Sequence, residues 1–396
     1  MTTSFARGMA RATELTKAGR LDEATALIQS LMQAPPAPDD RGAAADPSAR
    51  DDVIDGTFTR LDDTVGGEHP QTSKSAKTHR PAAQNPRTSL RDTLSGLAAR
   101  VMPTGGDAPP AQVDIPDGAR FLSLTHGGPQ GSRDYRLYVP ATQPDGPMPL
   151  VVMLHGCTQS PEDFAIGTGM NTLAEEFGCL IAYPAQPQAA NAQKCWNWYQ
   201  PGDQARGRGE PAIIAGIVRD ILRDHPADAG RVYTAGLSAG GAAAAIIGAA
   251  YPDLFAAVGV HSGLPVGGAR DGPTALAAMS GGSPGRPQAG AVPTIVFHGL
   301  ADTTVNPTNG VAVVAQALRA RGDLKTRDVS GRSDGGRTYR QIRHDDAEGH
   351  SLVEHWQIDG AGHAWSGGQS GGSYTDPQGP DASREMLRFF LQHRRA

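Results

Sequence analysis

The pentapeptide Gly236-Leu237-Ser238-Ala239-Gly240 sets one serine among glycines, where the run "RVYTA" gives way to the alanine-rich run "AAAAIIGAAYP". It fits G-x-S-x-G, and its flanks read as a strand followed by a helix, the context in which this motif carries a nucleophile. The glycines have a steric reason: the turn is so tight that side chains at the flanking positions would collide with neighbouring backbone. The serine is thereby forced into a strained conformation that lifts its hydroxyl above the sheet. The helix behind it aims backbone N–H groups at the reaction centre. A glycine-rich packing turn with an incidental serine is the competing explanation, and the strand and helix flanks weigh against it.

A serine hydroxyl is a poor nucleophile without a base. In this arrangement the partners follow in the order serine, acid, histidine. Asp302, in "TIVFHGLADTTVNP", lies just past an expected strand in a polar loop before a helix. Capping that helix is its alternative role. His363, in "QIDGAGHAWSGG", sits in a glycine-rich loop between a strand and the last helix, from which an imidazole can reach back over the serine. His261, His298, His350 and His355 compete with it. The first two end strands, and His355 lies inside one. Negative charge developing on an ester carbonyl needs waiting donors. The Ala239 N–H supplies one, and the loop "LHGCTQ" supplies the other through the backbone of Cys157.

The elements that must position these residues begin near residue 118. "RFLSLTHGG" and "RDYRLYVPA" alternate as a hairpin pair with glycine at the turn. "PLVVMLHG", "CLIAYP", "RVYTAG", "FAAVGVHSG" and "VPTIVFHG" are apolar runs expected of buried strands. "TYRQIRH" and "LVEHWQID" read as strands too. Helices are expected at "MNTLAEEFG", "EPAIIAGIVRDILRDHP", the run after Ser238, "GVAVVAQALRARG" and "SREMLRFFLQHRR". Strands alternating with helices give an α/β fold, a mostly parallel sheet covered on both faces. This catalytic domain spans 118–396. Residues 1–33 carry helical periodicity, a hairpin or bent helix that either mediates self-association or packs on the body. Residues 34–117 are poor in aromatics and rich in Pro, Ala and mixed charge, which implies a disordered linker, with one short helix around Leu90 to Val101.

The chain has 396 residues and a net charge of −5, so its composition points to no nucleic-acid partner. No run approaches a membrane span. The first residues show no apolar h-region of a secretory signal, which by sequence alone places the protein in the cytoplasm. Three cysteines, Cys157, Cys179 and Cys195, are too few for a disulfide scaffold and lack the close pairs of a zinc site, so no metal or cofactor is expected.

The stretches "LHGCTQSPEDFAIGTGM", "CWNWYQP", "GRGEPAIIAGIVRD", "RVYTAGLSAGGAAAA", "PTIVFHGLADTTVNP" and "GAGHAWSGG" together resemble the polyhydroxybutyrate depolymerase family of serine esterases, relatives of feruloyl and acetylxylan esterases. The resemblance covers roughly residues 120–395 and implies an α/β-hydrolase fold with Ser238, Asp302 and His363 as nucleophile, acid and base. It also implies a Cys157–Cys195 bridge beside the oxyanion loop, and a Trp196 that lines the ester pocket. The family is often extracellular, where disulfides persist; the missing signal points the other way. The expected substrate is a short-acyl ester such as a hydroxyalkanoate oligomer, with feruloyl or acetyl esters as the alternative. A non-catalytic scaffold whose N-terminal helices recruit a partner is the rival of another class.

Overall fold

The structure is a computed structural model and describes residues 112–287, 292–319 and 321–395. The expected helical segment at 1–33 and nearly all of the expected linker lie outside these residues.

Ten strands form one sheet: β1 (Arg120–Gly128), β2 (Gly131–Val139), β3 (Met148–Leu154), β4 (Leu180–Pro184), β5 (Ala227–Leu237), β6 (Ala257–His261), β7 (Thr294–Gly299), β8 (Lys325–Arg332), β9 (Thr338–Asp345) and β10 (Ser351–Ile358). Their spatial order is β1-β2-β4-β3-β5-β6-β7-β10-β9-β8. The run from β4 to β10 is parallel, and both edges are antiparallel. β3, β4, β6 and β7 are buried at every position, as their unbroken apolar sequences require of strands covered on both faces. The period of two sorts their side chains between two cores. Leu150, Val152 and Leu154 join one, and Val151 and Met153 the other.

The first core is closed by α3 (Gly209–Asp224), α4 (Ala239–Ala250), α5 (Gly272–Gly281) and α6 (Thr308–Arg319). The second is closed by α1 (Pro161–Thr168), α2 (Met170–Phe177) and α7 (Ala382–Phe390). In α3 the spacing of Ile213, Ile214, Ile217, Val218 and Ile221 makes one apolar stripe, and all five are buried. Each such side chain contributes roughly 1.5–3 kcal/mol when fully buried. Gly169, left-handed at φ 61°, both ends α1 and begins α2.

Three of the elements above depart from the sequence reading. α1 was not expected; it starts at the Ser160 cap, whose hydroxyl accepts from the Asp163 N–H, followed by Pro161. α5 was not expected either, and it begins with a capping box between Asp271 and Thr274. β8 lacks any apolar alternation and is exposed along nearly its whole length. It is a strand because β9 supplies its ladder and Arg340 reaches across to Asp328.

α7 is tied to the sheet by a buried charge. Glu354, with no exposed surface, accepts from Arg388 at 2.5 Å, Gln341 at 3.0 Å and the Trp356 indole at 3.2 Å. Removing one partner of such a pair strands the other. Glu354→Ala is therefore expected to lower unfolding free energy by about 3–5 kcal/mol in urea titrations; a loss under 1 kcal/mol would contradict this role.

Candidate active site

The chain leaves β5 at Leu237, turns at Ser238 and enters α4 at Ala239. Ser238 has φ 58° and ψ −119°, a conformation that costs a side-chain-bearing residue energy. Its neighbours explain how the turn closes. A Cβ on Gly236 would stand 2.4 Å from the Gly240 carbonyl carbon and 2.6 Å from Leu154 O. One on Gly240 would stand 2.0 Å from Leu154 O and 2.6 Å from His155 O. The elbow is thus pressed against the end of β3, which carries the expected oxyanion loop. The Ser238 N–H donates to His261 O at 2.9 Å, fixing the turn to β6.

Asp302 and His363 are brought together. His363 Nδ1 lies 2.7 Å from Asp302 Oδ2, and the Asp302 side chain is fully buried. The other carboxylate oxygen accepts from the N–H groups of Thr304 (2.9 Å) and Val305 (2.8 Å). Burial alone would raise the Asp302 pKa, but the contacts with His298 and His363 and the Val305 N–H hold it well below the usual carboxylate range. Asp302 stays ionised and fixes His363 with its proton on Nδ1. The loops carrying the two residues are themselves joined, because Leu300 N donates to Ile358 O and Ala301 N to Ala361 O, both at 2.9 Å.

The competing histidines are placed otherwise. His298 is buried, donates from Nε2 to Val305 O at 2.8 Å and lies 3.5 Å from Asp302 Oδ2, so it supports the acid loop. His261 is buried between the Phe297 and Trp365 rings, and its Nε2 accepts from the Ser366 N–H at 2.9 Å. That bond, with Ser238 N to His261 O, makes His261 the link between the serine turn and the segment holding His363. His355 is buried in β10, and His350 is exposed beside Asp346.

Cys157 and Cys195 form a disulfide. Neither the Cys157 N–H nor the Ala239 N–H donates to another group among the described residues. The loop around Cys157 is held from several sides. His155 is fully buried, and burial drives its pKa down to about 4, so it is neutral. Its Nε2 accepts from the Gln186 N–H at 3.1 Å, which leaves Nδ1 to donate to Gly156 O at 2.7 Å. Gln159 Oε1 accepts from the Gly156 N–H at 2.8 Å.

Trp196 was expected to line the ester pocket. The structure gives it no exposed surface, and its indole N–H donates to His155 O at 3.0 Å. It braces the strand end that leads into the Cys157 loop. Trp198 and Trp365 are also core residues, at 5% and 1% exposure. The sequence reading missed Glu210. It accepts from Asn197 N (2.8 Å), Asn197 Nδ2 (2.8 Å) and Gln186 Nε2 (2.6 Å), and so holds the segment that bears Cys195. Burial and the Asp203 carboxylate push its pKa up to about 6. A signal was present: Glu210 opens an amphipathic helix on the helix's apolar side. It also missed Tyr374, whose carbonyl accepts from Trp365 N at 2.7 Å and whose hydroxyl lies 3.3 Å from Thr158 Oγ1. Tyr374 thus spans the His363 loop and the Cys157 loop.

The parallel sheet, the strand–turn–helix at Ser238 and the Asp302–His363 pair are those of an α/β-hydrolase fold. The family model described as esterase PHB depolymerase matches residues 133–343, and the chain belongs to that family. It is 35% identical over 240 residues to a poly(3-hydroxyalkanoate) depolymerase C of Paucimonas lemoignei, an alignment covering 57% of this chain and 57% of that enzyme. It is 30% identical over 220 residues to a feruloyl esterase B of Thermothelomyces thermophilus, covering 49% of this chain and 72% of the relative. An acetyl xylan esterase from Aspergillus awamori shares the fold at a TM-score of 0.53 and 21% identity, covering 69% of this chain and 99% of that one.

Two outcomes follow from this geometry. Gly240→Ala should destabilise the protein by ~3 kcal/mol or more, since its Cβ meets backbone that cannot step aside. Gly281→Ala, with nothing within 4 Å of its Cβ, should stay within about 0.5 kcal/mol of the parent. Equal effects in denaturant titrations would contradict the packing of the elbow. The second concerns pH. Burial lowers the pKa values of His155 and His355 to about 4 and of His261 to about 3. The unfolded chain takes up protons at these imidazoles near pH ~6.5 and the folded chain only well below it, so stability is full above that pH and falls as pH drops toward 4. Thermal melts should show this acid limb, and His355→Leu should make it shallower. An unchanged limb in that variant would contradict the assignment.

Proposed function

We propose that the chain is a serine esterase that hydrolyses short-acyl esters, hydroxyalkanoate oligomers in particular, through an acyl-enzyme on Ser238. The observation that carries this reading is the strained Ser238 at the end of β5, together with the Asp302–His363 pair tethered to it through His261. His363 makes one side-chain hydrogen bond among the described residues, to Asp302 through Nδ1, and its Nε2 makes none.

The proposed steps are those of a serine, histidine and acid acting as a unit. Ser238 Oγ attacks the ester carbonyl as His363 Nε2 takes its proton, and Asp302 stabilises the imidazolium that forms. The carbonyl oxygen gains negative charge, which the Cys157 and Ala239 N–H groups receive. The tetrahedral intermediate collapses, and His363 gives its proton to the departing alcohol. Water, deprotonated by His363, then attacks the acyl-enzyme and releases the acid and free Ser238.

The named relatives support the ester chemistry and divide over the substrate, one being a hydroxyalkanoate depolymerase and the other a feruloyl esterase. The burial of Trp196, Trp198 and Trp365 leaves none of these indoles as a platform for a feruloyl ring, which favours the aliphatic ester. Ser238→Ala and His363→Ala should each lower kcat on p-nitrophenyl butyrate by several orders of magnitude, and the double variant by little more, because such residues act as a unit. Asp302→Asn should fold yet lose rate. Near-parental turnover in Ser238→Ala would overturn the mechanism. Efficient cleavage of methyl ferulate with neglect of butyrate esters would transfer the reading to the feruloyl class.

A further inference from the structure

Five residues other than glycine hold a positive φ among the described residues: Thr158, Lys194, Ser238, Ser262 and Tyr374. Ser238, its neighbour in space Ser262, and the Thr158–Tyr374 pair are accounted for by the turns that build the site. Lys194 is not.

Lys194 sits at φ 54° and is half-buried. The backbone on both sides of it is pinned to the loop carrying the Cys157 N–H. On one side Gln193 O accepts from the Thr158 N–H at 2.7 Å. On the other, Cys195 is bridged to Cys157. Its own N–H donates to Asn191 O at 2.8 Å. An αL lysine costs energy that a glycine or asparagine would not. Its charge is felt inside the site: His155 is held neutral first by burial, and the Lys194 ammonium adds to that effect.

No carboxylate among the described residues forms an ion pair with this ammonium. Glu210, which holds the Asn197 end of this segment, is taken by Asn197 and Gln186, and Asp163, bonded to Gln159 of the Cys157 loop, also accepts from Ser373. A strained, half-buried, unpaired cation beside an oxyanion loop is suited to an anion that arrives with the substrate.

We infer that Lys194 is a specificity-determining residue that receives a free carboxylate on the alcohol side of the scissile ester, as at the acid end of a 3-hydroxyacid oligomer. The inference rests on the ester reading above and narrows it. In such an oligomer the terminal carboxylate lies only a few bonds from the last ester carbonyl. Hydrolysis there releases one hydroxyacid and leaves a shortened oligomer with a new carboxylate end, which is again a substrate. The enzyme then works inward from the acid terminus. A neutral ester reaches the same serine without this contact.

The test compares the linear dimer of 3-hydroxybutyrate as its free acid with the same dimer carrying a terminal carboxamide. Parent enzyme should prefer the free acid, and the preference should shrink as salt is added. Lys194→Met should lower kcat/KM on the free acid by about fivefold, the scale of one partly exposed ion pair, and leave the carboxamide unchanged. Lys194→Arg should restore the preference, and Lys194→Glu should reverse it. Equal losses on both dimers would mean that Lys194 acts through loop shape, and would overturn the inference. So would unchanged kinetics on both. Parent enzyme that cleaves neither dimer nor p-nitrophenyl butyrate overturns the esterase reading itself, and this inference with it.

Discussion

Ser238 holds a positive φ because Gly236 and Gly240 have no Cβ, and the absence of those two carbons lets β3 and β5 end against the same turn. That contact does more than expose a hydroxyl. It brings the start of α4 against the end of β3, the strand that leads into the Cys157 loop. The strain is sustained by what surrounds it: a parallel sheet buried on both faces, and the Ser238 N–H anchored to β6. Under the esterase reading proposed above, such a turn would hold its N–H dipoles in place before substrate arrives.

The loops around the turn are fixed by buried polar groups and not by apolar packing alone. His155, Gln159, Gln186, Asn197, Glu210 and the Trp196 indole form a connected set behind the Cys157 loop, with the Cys157–Cys195 bridge in front of it. Such networks are costly when incomplete and specific when satisfied. On the other side Asp302, His298, His261 and Ser366 tie the acid and base loops to β6. Tyr374 closes the ring, with its carbonyl on the base loop and its hydroxyl at Thr158.

Much of this was legible in the sequence, for physical reasons. Glycines at fixed offsets from a serine report a steric demand, and the unbroken apolar runs of β3, β6 and β7 report burial on two faces. Asp302 and His363 could be chosen because each sits in a polar or glycine-rich loop just past an expected strand, in the chain order serine, acid, histidine. What was not legible depends on tertiary contact. β8 has no pattern of its own and exists through its partner. α1 and α5 are short helices set by their caps. Trp196 could be seen as aromatic and near the site, but not which way it faces; only the position of His155 O decides that. Glu210 was visible as a charge on an apolar helix face, yet its three donors come from a loop thirteen or more residues away in sequence.

The most direct test of the central claim is the crystal structure of the protein after reaction with a butyl phosphonate ester, whose tetrahedral phosphorus mimics the ester intermediate. The adduct should be on Ser238 Oγ, with one phosphonyl oxygen about 2.7–3.1 Å from both the Cys157 and Ala239 nitrogens. His363 Nε2 should face the oxygen of Ser238. An adduct on another residue, or a phosphonyl oxygen turned to solvent with those two N–H groups unengaged, would contradict the account.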